Sequence, residues 1–132
     1  QGTLEYEYLV YPFAGAFDAV EALRIVARHQ ARPQLHYVAE MPDTTSFLRL
    51  KKNAAVVTAI KPSDDGDAGV IRFWNPTDKE ATDTVALPGR SLDRVSRCNL
   101  NEEPEEEVAA DGDSFSVVVP PRGLASYRFQ WS

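Results

Sequence analysis

VIRFWNPTDKEATDTVALPG, residues 70–89, decides the fold class. Val70–Asn75 places Ile71 and Phe73 on one side and Val70, Arg72 and Trp74 on the other, the period-two alternation of a strand. Pro76–Lys79 reads as a turn. Thr82–Leu87 alternates again and is closed by Pro88-Gly89. Short alternating runs separated by turn residues belong to an antiparallel sheet.

The same pattern continues in both directions. Upstream, Ala55–Lys61 is a strong strand signal, and the turn cluster Ser63–Gly69 joins it to Val70–Asn75 as a hairpin. Phe47–Leu50 and Gln34–Ala39 read as further strands. Downstream, Leu92–Leu100 is extended and Glu102–Glu107 is an acidic loop or edge. Asp111-Gly112 is a turn, and Ser114–Val119 and Leu124–Trp131 form a final pair joined by Pro120–Gly123. About seven short strands at this spacing predict a mostly β chain, an antiparallel β-sandwich, immunoglobulin-like or related, with one N-terminal α-helix.

That helix is DAVEALRIVARHQ, Asp18–Gln30. Asp18 is placed to cap it, with Glu21 three residues on as in a capping box. Val20, Ala22, Leu23, Ile25 and Val26 make a broad apolar face, while Asp18, Glu21, Arg24 and Arg28 share the polar one. Arg28 and His29 suit the negative end of the dipole, and Pro33 ends the run. The face is wide for packing on one sheet, which suggests a second surface against it. Before the helix, Leu4–Tyr11 (LEYEYLVY) alternates as a strand up to Pro12, and Phe13–Phe17 connects the two. The pattern changes in Arg32–Asp43, which divides the chain into 1–33, the tail of a preceding domain, and 34–132, the sandwich.

Composition narrows the function classes. The 132 residues suit one domain, and 43% hydrophobic with 26% charged residues is globular rather than disordered. A formal charge of −6 offers no basic face, so neither nucleic acid nor an anionic membrane is an expected partner. The longest apolar runs, such as Ala54–Ile60 and Ser116–Pro121, fall well short of a membrane helix. No signal-peptide pattern opens the chain. Cys98 is the only cysteine, which rules out an internal disulfide and a cysteine zinc site. These features leave the compartment open, with the cytoplasm as the default.

Three stretches taken in order carry a resemblance: VIRFWNPTDKEATDTVALPG, RCNLNEEPEEE and SFSVVVPPRGLASYRF. They resemble the C-terminal β domain of glycoside hydrolase family 38, the α-mannosidases. Such domains show a strand ending in arginine, two aromatics, Asn and Pro, then a strand, an "nLnEEp" segment, and a last hairpin around a Pro-Pro turn. The front end, LEYEYLVYPFAGAFDAVEALRIVARHQARPQ, is similar to the family's strand, "YPH-x-G" turn and helix. Here Phe13 stands in the histidine's place, so that histidine's role does not carry over. The resemblance implies a piece of a longer enzyme whose catalytic aspartates and zinc lie in an N-terminal domain. Its other partners would be the remaining domains of the same polypeptide, and its substrate a mannose-containing glycan. Retaining chemistry of that kind needs two carboxyl groups about 5–5.5 Å apart. The family's His-x-Asp zinc motif is missing from both His29-Gln30-Ala31 and His36-Tyr37-Val38, so no catalytic, cofactor-binding or metal residue is assigned here, and zinc is expected only in the parent's catalytic domain.

The remaining constellations have plain explanations. Glu102, Glu103, Glu105, Glu106 and Glu107 repel one another and read as a solvated acidic loop around Pro104 rather than a catalytic pair. Asp64, Asp65 and Asp67 around Gly66 make a hairpin turn, with calcium binding the sharper alternative. His29 and His36 are structural, Cys98 is a buried small side chain, and no serine sits in a nucleophile elbow. Trp74, Trp131 and Tyr127 could stack on sugar rings but are expected in core or interface positions. Arg72, Trp74, Arg122 and Tyr127 are therefore the candidate domain-contact or sugar-facing residues. The expected function is a non-catalytic β domain that shapes or supports an α-mannosidase. The alternatives are a carbohydrate-binding module and a protein-interaction sandwich.

Overall fold

A computed structural model describes residues 2–31 and 46–132. Its elements are α1 (Ala19–Gln30), β1 (Arg49–Leu50), β2 (Val56–Pro62), β3 (Gly69–Trp74) and β4 (Ala81–Ala86). They continue with β5 (Leu92–Cys98), β6 (Pro104–Val108), β7 (Ala110–Asp111), β8 (Ser114–Val119) and β9 (Leu124–Trp131). The strands form two antiparallel sheets, one ordered β1-β4-β8-β7 and the other β2-β3-β9-β5-β6. The expected mostly-β sandwich with one leading helix is what the chain adopts.

Alternation decides what lies between the sheets. Ile71 and Phe73 on β3, Val85 on β4, Val95 on β5, Val117 and Val119 on β8, and Phe129 on β9 face inward and are almost wholly buried. Each such side chain contributes roughly 1.5–3 kcal/mol relative to exposure. A line of aromatic contacts runs through this core, from Phe73 to Tyr127, Phe115, Phe129 and Trp131, with ring centroids 5.6–6.3 Å apart. Two buried polar residues hold the crossings. Asp83, on the inward face of β4, accepts the backbone N–H groups of Lys52 (2.8 Å) and Ala54 (2.9 Å) and so pins the segment passing from β1 to β2. Asn75 gives its amide to the carbonyls of Lys79, Val119 and Pro120 and accepts from Thr77 through its oxygen.

β2 and β3 form the expected hairpin, with a bulge between Val57 and Ala59. β8 and β9 do not. β8 pairs with β4 in one sheet, and β9 lies between β3 and β5 in the other. The Pro120-Pro121 pair explains the difference. Prolines have no N–H to give a ladder, so the chain turns out of one sheet and enters the other. The turn closes through Gly123 N–H to the Pro120 carbonyl (3.2 Å). A Cβ on Gly123 would stand 2.7 Å from the Pro120 ring, so only glycine fits there.

The strand expected at Leu4–Tyr11 is not formed, because no neighbouring chain pairs with it among the described residues. Leu4, Tyr6, Tyr8 and Val10 are exposed instead. α1 begins one residue after its cap: Asp18 accepts from the N–H groups of Val20 and Glu21. Glu21 pairs with Arg24 at 3.1 Å, so no reciprocal capping box closes. Val20 is the one buried residue of the helix. His29 pairs with Glu7 at 2.8 Å. The strand expected at Gln34–Ala39 and the seam at Arg32–Asp43 lie in residues that are not described. No described helix is long and apolar enough to cross a membrane.

Candidate functional site

The outward face of the five-stranded sheet carries two concave regions. The first gathers three of the four residues singled out from the sequence. Register places Trp74 of β3 opposite Leu124 of β9, and Arg72 opposite Ser126, so Arg72, Trp74 and Leu124 share one face. Arg122 and Gly123 in the connecting turn, with Thr58 and Ala59 of β2, complete a broad shallow depression. Arg122 sits at φ +50°, held by its N–H to the Thr77 carbonyl at 2.8 Å. Arg72 is braced by Ser126 Oγ (2.9 Å) and the Leu100 carbonyl (3.4 Å). Trp74 and Leu124 remain 36% and 46% exposed. No carboxylate, histidine or cysteine lines the depression. What it offers is one indole face, one leucine and two guanidinium groups.

Tyr127 does not join them. It is 3% exposed and packs in the aromatic core. Its hydroxyl donates to the Val118 carbonyl (2.9 Å) and accepts from the Val118 N–H (2.7 Å), beyond the residues of β8 that β7 pairs with. It is an inter-sheet tie, and burial pushes its phenol up from the ordinary value. Trp131 is 37% exposed beside Phe129, with the Arg90 guanidinium 4.8 Å from its ring and 5.1 Å from that of Phe47.

The second concavity was not legible as a site. The Ser63–Ala68 turn and the Asn99–Glu103 loop fold toward each other across the sheet and enclose a cleft of about 450 Å³. Lys61 joins them, pairing with Asp64 at 2.6 Å and Glu102 at 2.5 Å. Those hydrogen bonds, Asp64 first and then Glu102, raise the Lys61 pKa. Glu102 also accepts the Asp64 N–H at 3.0 Å. Glu102 is therefore not part of a solvated acidic loop: it is 5% exposed and takes φ +67° to reach its partners. Glu103, Glu105, Glu106 and Glu107 are exposed, the last three on the edge strand β6. Arg128 of β9 binds both Asp65 (2.7 Å) and Asp67. That guanidinium holds the Asp65 carboxyl well below the usual carboxylate range, aided by Ser63. A general acid needs the opposite shift, so this pair is not glycosidase machinery. Cys98 lies buried on this face, its thiol pushed up chiefly by burial and further by Glu102.

Asp64, Asp65 and Asp67 thus form a turn tied to the sheet, with Ser63 N–H bonded to the Ala68 carbonyl at 2.8 Å. Among the described residues no three His, Cys, Asp or Glu side chains are grouped so as to hold a metal ion.

Comparison with known families matches residues 54–125 to the glycosyl hydrolases family 38 C-terminal beta sandwich domain. A comparison with curated proteins finds no match. The matched span runs from the start of β2 into β9 and takes in Arg72, Trp74, Asn75, Glu102 and Arg122. It covers more than half of the chain, which therefore belongs to the family of glycosyl hydrolase family 38 C-terminal β-sandwich domains.

Proposed function

We propose that this chain is the non-catalytic C-terminal part of an α-mannosidase-like enzyme that hydrolyses terminal α-mannosyl bonds in mannose-containing glycans. Zinc and the catalytic carboxylates belong, in this reading, to a preceding domain of the same polypeptide. The sandwich supports that domain or shapes one wall of its cleft. One observation carries the structural role: an acid-free patch of Trp74, Leu124, Arg72 and Arg122 on a chain of net charge −6. Large apolar side chains left exposed beside fixed cations mark a contact surface rather than a solvent face. The segment 1–33 fits the tail of the neighbouring domain, since Leu4, Tyr6, Tyr8, Val10, Phe13 and Phe17 are all exposed.

The test is the double change Trp74→Arg and Leu124→Glu. In the 132-residue chain it should leave the melting temperature close to that of the parent sequence, because both side chains are already part-exposed. In the full polypeptide it should cut mannosidase activity or lower the melting temperature of the catalytic domain. Unchanged activity and melting in the full polypeptide would defeat the contact role. The exposed indole of Trp74 also favours a second reading, sugar stacking. That reading predicts quenching of tryptophan fluorescence by methyl α-mannoside, and a flat response removes it.

A further inference from the structure

We propose that the cleft between the Ser63–Ala68 turn and the Asn99–Glu103 loop binds a protonated primary amine, the group at the end of a lysine side chain. The inference does not depend on the mannosidase reading, and two residues of the cleft, Arg128 and Gln130, lie outside the family match.

The size is right: about 450 Å³ lies within the range of small-ligand sites. The charge count gives the sign of the ligand. Arg128 is shared by Asp65 and Asp67, and Lys61 is shared by Asp64 and Glu102, so each cation faces two carboxylates. Glu103 adds one more negative charge to the lining, while Arg94 is engaged by Glu107 at 2.9 Å. The cleft is left with a surplus of carboxylate.

The open hydrogen-bonding positions specify the ligand further. Ser96 is 4% exposed, lines the cleft, and its hydroxyl makes no hydrogen bond among the described residues. No sealed side-chain polar atom is left unpaired among them, so the Ser96 hydroxyl opens into the cleft rather than into the core. Register agrees, setting Ser96 opposite Arg128 on the outward face. Glu103 uses only Oε2, accepting from Asn99 at 2.6 Å, and Asp67 Oδ2 meets only Gln130 Nε2, at 3.5 Å. A buried hydroxyl and two under-used carboxylate oxygens are acceptors, and an ammonium group supplies three donors and a positive charge. A neutral polyol would leave the surplus charge uncompensated. A metal ion is disfavoured because the carboxylates are not grouped as a ligand set.

Titration of the 132-residue chain with n-butylammonium chloride, followed by ¹H–¹⁵N NMR, tests this. Saturating shifts should concentrate at the Ser96, Glu103 and Asp67 amides and weaken as sodium chloride is added. Ser96→Ala should melt like the unmodified chain and bind about tenfold more weakly, the loss of one hydrogen bond to a charged group. Glu103→Gln should weaken binding while keeping the loop, and stands in if Ser96→Ala fails to fold. Any of four results overturns the proposal. These are no saturation at tens of millimolar amine, an equal response to sorbitol, loss of the amine response on adding stoichiometric calcium, or unchanged binding in both variants.

Discussion

Asn75 uses every hydrogen-bonding group of its side chain on the surrounding backbone. Truncation to alanine would take one donor from the Lys79, Val119 and Pro120 carbonyls and leave the Thr77 N–H without its acceptor, and Asn75→Ala should cost about 1–3 kcal/mol by chemical denaturation. Asp65 makes a different prediction, one of pH. Arg128 holds its carboxyl below the ordinary value, so the unfolded chain takes up that proton first as the pH falls. The stabilisation is whole above about pH 5 and is lost progressively below about pH 4. Asp65→Asn should therefore be less stable than the unmodified chain at neutral pH, with the gap closing in acid. Asn75 and Tyr127 mark what could be read in advance. Asn75 is announced by its place between a strand and a proline. Tyr127 was expected in a core or interface position, and alternation with Ala125 and Phe129 puts its ring inside. The clasp of Glu102 on Lys61 could not be foreseen, because nothing local to an acidic run reports a partner on a distant hairpin.

At the level of elements, β2 to β5, β8 and β9 were legible because each buries a face and turn residues separate them, whereas β6 and β7 are exposed along nearly their whole length and read only as an acidic loop or edge and a turn. Their pairing was less so. Adjacent strands joined by a short turn suggest a hairpin, and β8 and β9 depart from that because the prolines between them redirect the chain. Leu4–Tyr11 shows the opposite failure, an alternating sequence with no ladder to join among the described residues. A strand needs a partner for its backbone groups, and periodicity cannot supply one. α1 was located to within a residue, and its apolar face is only partly covered: Val20 is buried, Ala22, Leu23 and Ile25 are half-buried, and Val26 is 42% exposed. Among the described residues the helix meets the sandwich mainly at β2 and adds little to it. Deleting residues 1–31 should change the unfolding free energy of the remainder by less than about 1 kcal/mol, checked by urea melts followed by circular dichroism. A larger loss would show that the first 31 residues belong to the sandwich itself.

For the molecule as a whole, the outward face of the larger sheet is divided by charge. The Trp74 depression has cations and no carboxylate, while the neighbouring cleft has carboxylates in excess. Two surfaces of opposite character on one sheet suit two different contacts. The order of the strands has a further consequence, for the route by which the chain folds. β9 is last in sequence but central in its sheet, and it alone links the β2–β3 hairpin to the β5–β6 pair. Until Leu124–Trp131 is available, those two pairs have nothing to hold them in one layer. The closing step must bring together residues as far apart as Gly69 and Phe129, a non-local search of the kind that slows folding to milliseconds or longer. A nascent chain that stops short of β9 would present two unjoined ribbons with bare edges, the state in which a β protein is most exposed to chaperones and to aggregation.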